Sequence, residues 1–427
     1  MAGVNLSDLD SFGALHELYS SDREYQENVQ STLFNKINKD QSDIKLDGKF
    51  FNIEVSLQLN ESYAATNDDE ALPLPGKTRS EFAKYKSKNM YSSFEATQKA
   101  LTRGWAGGIT ESGKYADRLL KETLISFVNN INQDLYQNGR GKRAVIATAT
   151  AAASSFTVDS AAPLRPGQIL DWYNAALTTK RGTIQISIKS VDRMSRTVYI
   201  DAAYGTGAVP AGAVADDVLV VANALSAGEP SDGRHIAGLD RITDNTFSLG
   251  NLSASTYASW ASVNQSAGNG NISQELLQLQ WDSMFIIGSR YPNYTAFNTA
   301  QKRAYLAPFL NQRQFTSNNF DTGAASLTFS PLKMGVDEKN EKPGSTTFLE
   351  DKDCPPDVWY FWNYDDLILG TDYYGEPHLA DEDGETMRFR PSFDAMQGFY
   401  RYWANTVVRK RNRLGKISGL AVPTGTL

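Results

Sequence analysis

Cysteine is nearly absent from this chain, since Cys354 is the only one among 427 residues. One thiol cannot close a disulfide within the molecule, so the fold has to be stable without covalent cross-links. Such cysteine usage is typical of proteins that fold and assemble in a reducing cytoplasm. Two prolines follow Cys354 directly, and this context favours a small buried residue over a catalytic nucleophile.

Long apolar runs are missing as well. No apolar stretch approaches the roughly 18 residues that suggest a bilayer-spanning helix. The N-terminus, MAGVNLSDLDSFGALHELYSSD, has no basic region followed by an apolar region, the pattern of a secretory leader. The sequence therefore predicts neither export nor membrane insertion.

Histidine is scarce, and the common catalytic motifs are not found. His16, His235 and His378 each stand in a polar, turn-rich context without the spacing of metal ligands, so we interpret them as surface or loop residues. No G-x-S-x-G elbow, Cys-His nucleophile signature or H-E-x-x-H helix is present. The sequence predicts no catalytic residue, no metal site and no cofactor.

Two glycine-rich stretches resemble phosphate-binding loops only in part. The run GRGK at 139–142 lacks the preceding strand, the full spacing and the following helix of a P-loop, so we interpret it as a turn that ends a helix. The run GTG at 205–207 follows a predicted strand but leads to Pro210 without a helix, unlike a dinucleotide fingerprint.

One acidic cluster contains the oxygen ligands that Ca²⁺ favours: Glu376, Asp381, Glu382, Asp383 and Glu385. Its spacing fits no EF-hand loop, so we interpret it as a solvated acidic loop. Carboxylates near Trp and Tyr residues are also typical of carbohydrate-active enzymes. Nothing in the sequence holds two of them at a catalytic separation.

The charge balance is acidic, with 49 Asp and Glu against 42 Lys and Arg. A protein that coats nucleic acid normally carries a basic stripe, so continuous binding to phosphates is disfavoured, whereas enclosing DNA is not. The one basic cluster lies near the C-terminus, at Arg409, Lys410, Arg411, Arg413 and Lys416. Phosphate contacts and ion pairs within or between subunits both remain open for it.

Composition and length predict a mixed, strand-rich protein of two or three domains. Apolar residues make up 41% of the chain, and 32 Gly, 20 Tyr and 20 Phe accompany many short Val/Ile/Thr runs. Residues 1–44 are polar and acidic, so we interpret them as an extended arm with room for one amphipathic helix. The predicted class is α+β.

Residues 45–90 have the pattern of a long two-stranded excursion. KFFNIEVSLQLN alternates apolar side chains on one face, and EFAKYKSKNM is a second extended run that places Phe82, Lys84, Lys86 and Lys88 on one face. The tip between them, TNDDEALPLPGKTR, is irregular and charged. Because such a hairpin has little core of its own, we expect its strands to lie against another chain and to have no core to pack on within their own subunit.

The strongest helical pattern covers residues 111–138, with Thr110 as N-cap and Gly139 as stop. At about 1.5 Å per residue this helix spans roughly 40 Å. Short strands then follow between residues 156 and 222, as in a compact β-barrel or sandwich. Further on, the sequence predicts helices at 273–289 and 299–310, an aromatic strand in DVWYFWN, and helix or strand at 397–413.

This order of elements resembles the major capsid protein of tailed bacteriophages, which has the Hong Kong 97-like fold. The hairpin EALPLPGKTRSEFAKYKSKNMYSSFEATQKAL, the helix end DLYQNGRGKRAVI, and the stretches GLDRITD, DKDCPPDVWYFWNYDDL and FYRYWANTVVRKRNRLGKISGL carry the resemblance. It implies these domains: an N-terminal arm (1–44), an E-loop (45–90), a peripheral domain (91–149) with spine helix 111–138, an inserted β-barrel-like domain (150–225), an axial domain (226–380) and a return to the peripheral domain (381–427).

The resemblance also implies a function. The chain is expected to assemble into the hexamers and pentamers of an icosahedral head around double-stranded DNA, with a separate scaffolding protein, a portal protein and room for a decoration or cement protein. Expected inter-subunit contacts are Asp68, Asp69, Glu70, Lys77, Arg79, Lys84 and Lys86, and expected DNA-facing residues are Arg409, Lys410, Arg411 and Arg413.

Some relatives cross-link a lysine of the E-loop, but no trio of Lys, Asn and Glu stands out here, so no cross-link is assigned. Two alternatives stay open at this point. An encapsulin-like compartment shares the fold and packages protein, and a carbohydrate-active enzyme would use the acidic and aromatic residues.

Overall fold

A computed structural model gives the fold. It describes residues 30–40, 42, 44–63, 65–66, 68, 72, 74–97, 109–182, 185–203, 205, 207–225, 233–308, 333–336, 343–371, 375–379 and 387–422. The predicted arm therefore lies largely outside the described residues. Within residues 109–118 and 333–345, the structure describes the backbone path where given and not the side chains.

Runs of several strands are separated by single helices along the chain, as expected for an α+β protein. The helices are α1 (Thr32–Lys36), α2 (Ile109–Asp134), α3 (Leu239–Thr243), α4 (Gln274–Gly288) and α5 (Thr299–Leu306), and 3-10 turns cover Ala258–Trp260 and Arg411–Arg413. The strands of the first half are β1 (Lys45–Asp47), β2 (Phe50–Gln58), β3 (Arg79–Lys86), β4 (Lys88–Thr97), β5 (Lys142–Thr148), β6 (Ser155–Val158), β7 (Ile169–Tyr173), β8 (Ile186–Asp192), β9 (Thr197–Ile200) and β10 (Val218–Val221).

The strands of the second half are β11 (Val263–Ser266), β12 (Tyr294–Phe297), β13 (Lys333–Val336), β14 (Pro343–Ser345), β15 (Thr347–Glu350), β16 (Trp359–Trp362), β17 (Leu367–Thr371), β18 (Arg388–Phe389), β19 (Ala395–Val408) and β20 (Gly415–Ser418). The segment for which the sequence left helix and strand open is thus the strand β19. The aromatic strand in DVWYFWN is confirmed as β16, and all four of its residues are buried.

Helix α2 begins two residues before the predicted start and ends at Asp134 rather than 138. Its last turn tightens, because Tyr136 N donates to Gln133 O at 3.2 Å and Gln137 N donates to Asp134 O at 3.0 Å. Phe127, Ile131 and Leu135 face the largest core. The helical spacing of these residues therefore identified the buried face, although it overran the helix end.

A four-stranded antiparallel sheet packs beside α2. Strand β19 lies in its middle and pairs with β4 over ten positions, and with β17 and β18 at its two ends. Tyr400, Tyr402 and Ala404 alternate on the buried face of β19. Tyr400 also donates a hydrogen bond to the carbonyl of Leu120 in α2 at 3.2 Å.

The second extended run of the hairpin is not one strand. Strand β3 ends at Lys86, and β4 begins at Lys88 in a different sheet. Lys88 is buried and its Nζ donates to the carbonyl of Gly233 at 2.9 Å, so it does not share the exposed face of Phe82 and Lys84. The alternation is broken at Ser87, which the sequence pattern did not reveal.

The base of the hairpin packs on the body of its own subunit. The expectation that residues 45–90 have no core to pack on within their own subunit is therefore wrong for the base of the hairpin. Five of its residues are buried in the main core: Phe51, Ile53, Val55, Ala83 and Tyr85. Lys84 N donates to the carbonyl of Gly250 at 3.0 Å. Gly250 has a φ of +61°, and a Cβ there would lie 2.9 Å from the Ala83 Cβ, so only glycine allows this approach.

Six strands close into a barrel in the order β10-β5-β6-β9-β8-β7. Its core includes Ile146, Phe156 and Trp172, and the rings of the last two lie 5.0 Å apart, edge to face. The indole Nε1 of Trp172 donates to Asp217 at 3.0 Å. The barrel begins with β5 at Lys142, because β5 pairs with both β10 and β6, whereas the sequence placed residues 142–149 outside the β-rich segment.

A further sheet contains five strands of mixed direction in the order β11-β20-β16-β12-β15, and α4 and α5 pack on it. Helix α4 starts after Ser273, whose hydroxyl accepts a hydrogen bond from Leu276 N at 3.1 Å, which confirms the predicted cap. Helix α5 ends at Leu306, four residues before its predicted end. The C-terminal residues are shared between two sheets, since β19 pairs with β4 and β20 pairs with β11 and β16.

Candidate assembly surfaces

The tip of the hairpin projects from the body with its apolar side chains in solvent. Leu59, Tyr63, Leu72 and Leu74 are 70%, 96%, 82% and 87% exposed. Phe82 adds a further exposed ring on the outer face of β3. Exposed apolar groups concentrated on one protruding element are typical of a contact surface rather than of a monomer's ordinary surface.

Five of the predicted inter-subunit residues are exposed on this hairpin: Asp68, Lys77, Arg79, Lys84 and Lys86. Asp69 and Glu70 lie outside the described residues. Arg79 also contacts its own subunit, because its Nη2 lies 3.2 Å from the Glu81 carboxylate and 2.7 Å from the Tyr257 hydroxyl. Its guanidinium also stacks over the Tyr257 ring at 4.9 Å. Arg79 therefore ties the hairpin to the body.

The basic run near the C-terminus is divided between buried and exposed positions. Arg411 is 0% exposed, and it donates from Nε to the Ile242 carbonyl at 2.8 Å and from Nη2 to the Asp244 carbonyl at 2.6 Å. Burial lowers the pKa of Arg411 to about 10, so it remains a cation at neutral pH. The expectation that Arg411 faces DNA is wrong, because its hydrogen bonds hold the fold together.

The other basic residues of this run differ in how much they are engaged. Arg413 donates to the Gly288 carbonyl at 2.8 Å and lies 3.4 Å from Asp366, and Lys416 lies 2.9 Å from Asp240. Arg409 is half-buried, and Lys410 is exposed. Ion pairs within the subunit thus account for two of the five residues, which the sequence had left open.

Arg409, Lys410 and Arg413 line a groove of about 830 Å³ that we call the basic groove. Its remaining walls come from the hairpin, the 3-10 turn Ala258–Trp260, α4 and the segment before β1. They include Lys45, Glu54, Leu57, Leu59, Phe82, Trp260 and Ile287. Both cations and apolar side chains therefore line this open surface depression.

A buried ion cluster joins α2 to the barrel. The Asp134 carboxylate lies 2.7 Å from Nη1 of Arg143 and 2.7 Å from Nδ1 of His235. Burial alone would raise the pKa of Asp134, but the charges and hydrogen bonds of Arg143 and His235 lower it to about 2. His235 lies in a loop, as the sequence predicted, but it is half-buried and is a partner in this ion cluster, which no local motif indicates.

A second buried network joins α1, α2 and the loop before Cys354. The Asp351 carboxylate accepts hydrogen bonds from Leu33 N at 3.3 Å, from Asn132 Nδ2 at 3.1 Å and from the Tyr136 hydroxyl at 3.1 Å. Asn132 in turn accepts from Phe34 N at 3.0 Å. The sequence analysis missed this network, because the two partners of each hydrogen bond are more than 90 residues apart along the chain.

Asp353 and Cys354 lie beside that network. Burial raises the pKa of Asp353, and the neighbouring Asp351 adds to the rise. Burial likewise raises the pKa of the Cys354 thiol well above its usual range, which disfavours the reactive thiolate. The prediction that Cys354 is a small buried residue is confirmed, because it is 2% exposed.

The acidic cluster and the histidines form no described metal site. Among the residues that the structure describes, no group of three or more His, Cys, Asp or Glu side chains is placed to hold a metal ion. Glu376 pairs with Lys39 at 2.5 Å, whereas residues 381–385 and His16 are not among the described positions. The His378 ring packs edge to face on Trp403 at 6.3 Å.

A further finding concerns membranes. In the described part of the chain, no helix combines the length and the apolar character that a bilayer crossing needs.

The sequence matches no protein-family model and no curated protein. Among solved structures, the capsid of cyanophage A-1(L) superposes with a TM-score of 0.53 at 12% identity, over 94% of this chain and 95% of the other. The chain has the fold of a phage capsid protein.

Two further structures are similar at lower scores. The capsid of the Myoviridae phage XM1 has a TM-score of 0.47 at 9% identity, over 98% of this chain and 100% of that one. An encapsulin from Synechococcus elongatus PCC 7942 has a TM-score of 0.45 at 6% identity, over 98% and 96% of the two chains. At such identities the likeness concerns the fold alone.

Proposed function

We propose that this chain is the major capsid protein of a tailed bacteriophage, and that it assembles into the hexamers and pentamers of an icosahedral head around double-stranded DNA. The observation that carries the proposal is the phage capsid fold, which extends over 94% of the chain. The role is structural rather than enzymatic, and the site of action is the shell of the virion after assembly in the bacterial cytoplasm.

The hairpin supports self-association in a specific way. Its base is held by the core of its own subunit, while Leu59, Tyr63 and Leu74 at the tip remain exposed. A rigid base that presents an apolar tip supplies a pre-organised contact, so little entropy is lost when a sister copy covers the tip. The exposed charges of Asp68 and Lys77 then lie at the rim of that contact.

The domain assignment is part of the same proposal. We assign the hairpin to the E-loop, α2 to the spine helix of the peripheral domain, and the five-stranded sheet with α4 and α5 to the axial domain. The barrel is assigned to an inserted domain, now with Lys142 as its first residue. Its entry and exit segments run side by side, since His235 N donates to the Gly139 carbonyl at 3.1 Å and Val221 N to the Gly141 carbonyl at 2.9 Å, as a domain insertion requires.

The proposed partners are other copies of this chain, a separate scaffolding protein, a portal protein, a decoration or cement protein, and packaged DNA without sequence-specific contacts. Arg409, Lys410 and Arg413 remain the proposed phosphate-facing residues. The acidic balance of 49 to 42 supports loose enclosure of DNA rather than tight coating of it.

Electron microscopy tests the proposal. We expect the chain, expressed with its scaffolding protein, to form closed shells of megadalton mass, and shells from infected cells to contain DNA. Purified shells filled with protein and free of nucleic acid would instead support an encapsulin-like compartment. A chain that stays monomeric under all these conditions would contradict the proposal.

A paired substitution sharpens this test. Leu59→Asp with Leu74→Asp places charges on the apolar tip, and Met194→Asp changes an equally exposed residue of the barrel that is 81% exposed. We expect the double tip variant to fold as a soluble subunit with unchanged circular dichroism and to form no shells. The Met194→Asp control is expected to assemble normally.

A further inference from the structure

The side chain of Lys352 reaches from the loop after β15 to helix α2. Its Nζ donates to Oδ1 of Asn129 at 3.2 Å and to the carbonyl of Gln30 at 2.7 Å. Asn129 is 1% exposed, and the side chain of Lys352 is 17% exposed. An amine and a carboxamide that are 223 residues apart along the chain therefore meet in a site that is largely closed to water.

These two groups are held close enough to react with each other. The carbonyl carbon of Asn129 lies one C=O bond, about 1.2 Å, beyond the oxygen that Lys352 contacts. Reacting atoms are typically about 3–3.5 Å apart, so a small side-chain movement brings Nζ onto this carbon. The backbones on both sides are fixed, because Asn132 of α2 donates to Asp351 at 3.1 Å and to Asp353 at 2.8 Å.

The Asp353 carboxylate lies on the other side of the amine. One of its oxygens is 3.9 Å from Nζ of Lys352. Asn132 Nδ2 donates to it at 2.8 Å and Gln133 Nε2 at 3.3 Å, and these two bonds set its orientation. A carboxyl group beside an amine can take up a proton from the attacking nitrogen and pass one to the leaving nitrogen.

The surroundings make the proton transfer easier. Burial lowers the pKa of Lys352, and the attraction of Asp353, which opposes this change, is the smaller effect. Burial, followed by the charge of Asp351, raises the pKa of Asp353. Moving a proton from the ammonium to the carboxylate therefore costs less free energy here than in water. The transfer leaves a neutral amine, which is the nucleophilic form of lysine.

We propose that Lys352 and Asn129 form an isopeptide bond within the subunit, with Asp353 as the proton carrier. Nζ of Lys352 forms a bond to Cγ of Asn129, and the bond from Cγ to Nδ2 breaks. Asp353 accepts a proton from the attacking nitrogen and delivers one to Nδ2, which leaves as ammonia. The atoms balance without a further reactant. No lysine of the hairpin takes part, and the proposal is independent of shell formation.

The bond closes a covalent ring that runs along the chain from Asn129 to Lys352. This ring contains the whole barrel and α3 to α5. A ring of this kind limits the conformational freedom of the unfolded chain, so it stabilises the folded subunit. It also makes the denatured chain more compact, and we expect the ring form to migrate faster than the linear chain in a denaturing gel.

Mass spectrometry of the full chain tests the proposal. After incubation of the folded subunit, we expect the protein to be lighter than its sequence requires by one ammonia molecule. Proteolysis should release one branched peptide in which Lys352 is joined to Asn129. Cyclisation at Asn138 and Gly139 into a succinimide gives the same change in mass. The branched peptide distinguishes the two products, and a loss of ammonia confined to Asn138 would contradict the proposal.

Substitutions supply the second measurement, with circular dichroism as the check on folding. Lys352→Arg and Asn129→Ala each remove one reacting group, so we expect no loss of ammonia and the slower gel migration of a linear chain. Lys302→Arg is the matched control, because Lys302 pairs with Glu350 at 2.5 Å, and it should form the bond normally. Asp353→Asn keeps both reacting groups and is expected to slow bond formation at least about a hundredfold.

Three results would overturn the proposal or one of its parts. Recovery of only linear peptides containing Asn129 and Lys352 from folded wild-type protein would mean that the two residues form a hydrogen bond and nothing more. Branched peptides found only in covalent dimers would assign the reaction to a contact between copies. A wild-type rate in folded Asp353→Asn would remove Asp353 from the reaction. Shell formation, scored separately by microscopy, reports on the proposed function alone.

Discussion

The phenol of Tyr85 donates a hydrogen bond to the backbone carbonyl of Val408, with 3.1 Å between the two oxygens. Tyr85 belongs to β3 of the hairpin, and Val408 is the last residue of β19, so this bond ties the base of the hairpin to the central sheet. Burial raises the pKa of Tyr85 above its usual range, which keeps the phenol protonated and able to donate. The base of the hairpin is therefore a fixed part of the subunit.

Removing that hydroxyl should lower stability without preventing assembly. Tyr85→Phe leaves the Val408 carbonyl without its donor in a buried site, so we expect a loss of about 1–2 kcal/mol in the free energy of unfolding. Tyr85→Ala also opens a cavity and should cost about 3–5 kcal/mol. Urea unfolding of unassembled subunits measures both. Tyr63→Phe, at the exposed tip, is the control and should be neutral.

Lys410 and Arg411 are adjacent in the sequence, but we expect only the mutation of Arg411 to lower the stability of the subunit. Arg411→Met removes both hydrogen bonds to the carbonyls of Ile242 and Asp244. Buried acceptors are then left unpaired, so we expect a loss of about 3–5 kcal/mol in unfolding free energy. Lys410→Met is exposed and should change stability by less than about 0.5 kcal/mol.

Chemical denaturation of the two variants measures this difference in unfolding free energy. An Arg411→Met subunit of normal stability whose shells contain less DNA would contradict the structural role given to Arg411. It would return this residue to the phosphate-facing set.

Local sequence patterns predicted the elements whose signals are themselves local. The cap at Ser273 works within one turn, and the apolar spacing of Phe127, Ile131 and Leu135 marks one face of one helix. Likewise, the run around Trp359 is apolar on both faces, as a buried central strand must be. Each of these signals comes from residues that lie close together along the chain.

Local sequence patterns did not predict the tertiary contacts. Arg411 belongs to a run of basic residues that has the composition of a surface patch. In the structure it is buried, and it donates a hydrogen bond to the Ile242 carbonyl of α3. His235 and Asp134 meet across 101 residues, and no spacing rule connects them. The alternation in the hairpin correctly gave its apolar face. It did not show that the subunit's own core covers the base of that face, because covering residues such as Val408 come from distant strands.

The Asp134 cluster predicts a loss of stability in acid. A carboxyl whose folded-state pKa lies below its unfolded value stabilises the fold above the unfolded pKa, and this contribution disappears as the pH falls. For Asp134 the window runs from 3.8 down to about 2. We expect Asp134 to contribute about 2 kcal/mol at neutral pH and little at pH 2.

The measurement compares wild type with Asp134→Asn across pH 2 to 6 by chemical denaturation. Asp353 and Asp366 have raised pKa values, chiefly through burial, and therefore act in the opposite direction, so only the difference between the two proteins is diagnostic. We expect this difference to shrink as the pH drops. A constant difference across the range would show that the charge of Asp134 is not what stabilises the cluster.

The Asp351 network predicts that helix α1 can be released from the body by one substitution. Asp351 accepts from Leu33 N at 3.3 Å, and Asn132 accepts from Phe34 N at 3.0 Å while donating to Asp351 at 3.1 Å. These amides belong to the first turn of α1 and have no partner within so short a helix, so the network supplies their acceptors. Asp351→Ala removes one acceptor directly and leaves the Asn132 amide less well oriented for the other.

Hydrogen exchange of the subunit measures this release. We expect the amides of Leu33 and Phe34 in Asp351→Ala to exchange at least about tenfold faster than in wild type, which corresponds to a loss of about 1.4 kcal/mol in local stability. The amides of the barrel strands should be unchanged, because the barrel core is separate. Glu350→Ala alters the exposed neighbour that pairs with Lys302 at 2.5 Å, and it is the matched control. Protection of Leu33 that survives the loss of Asp351 would mean that the packing of Leu33 and Phe34 in the core, rather than the carboxylate, holds α1 in place.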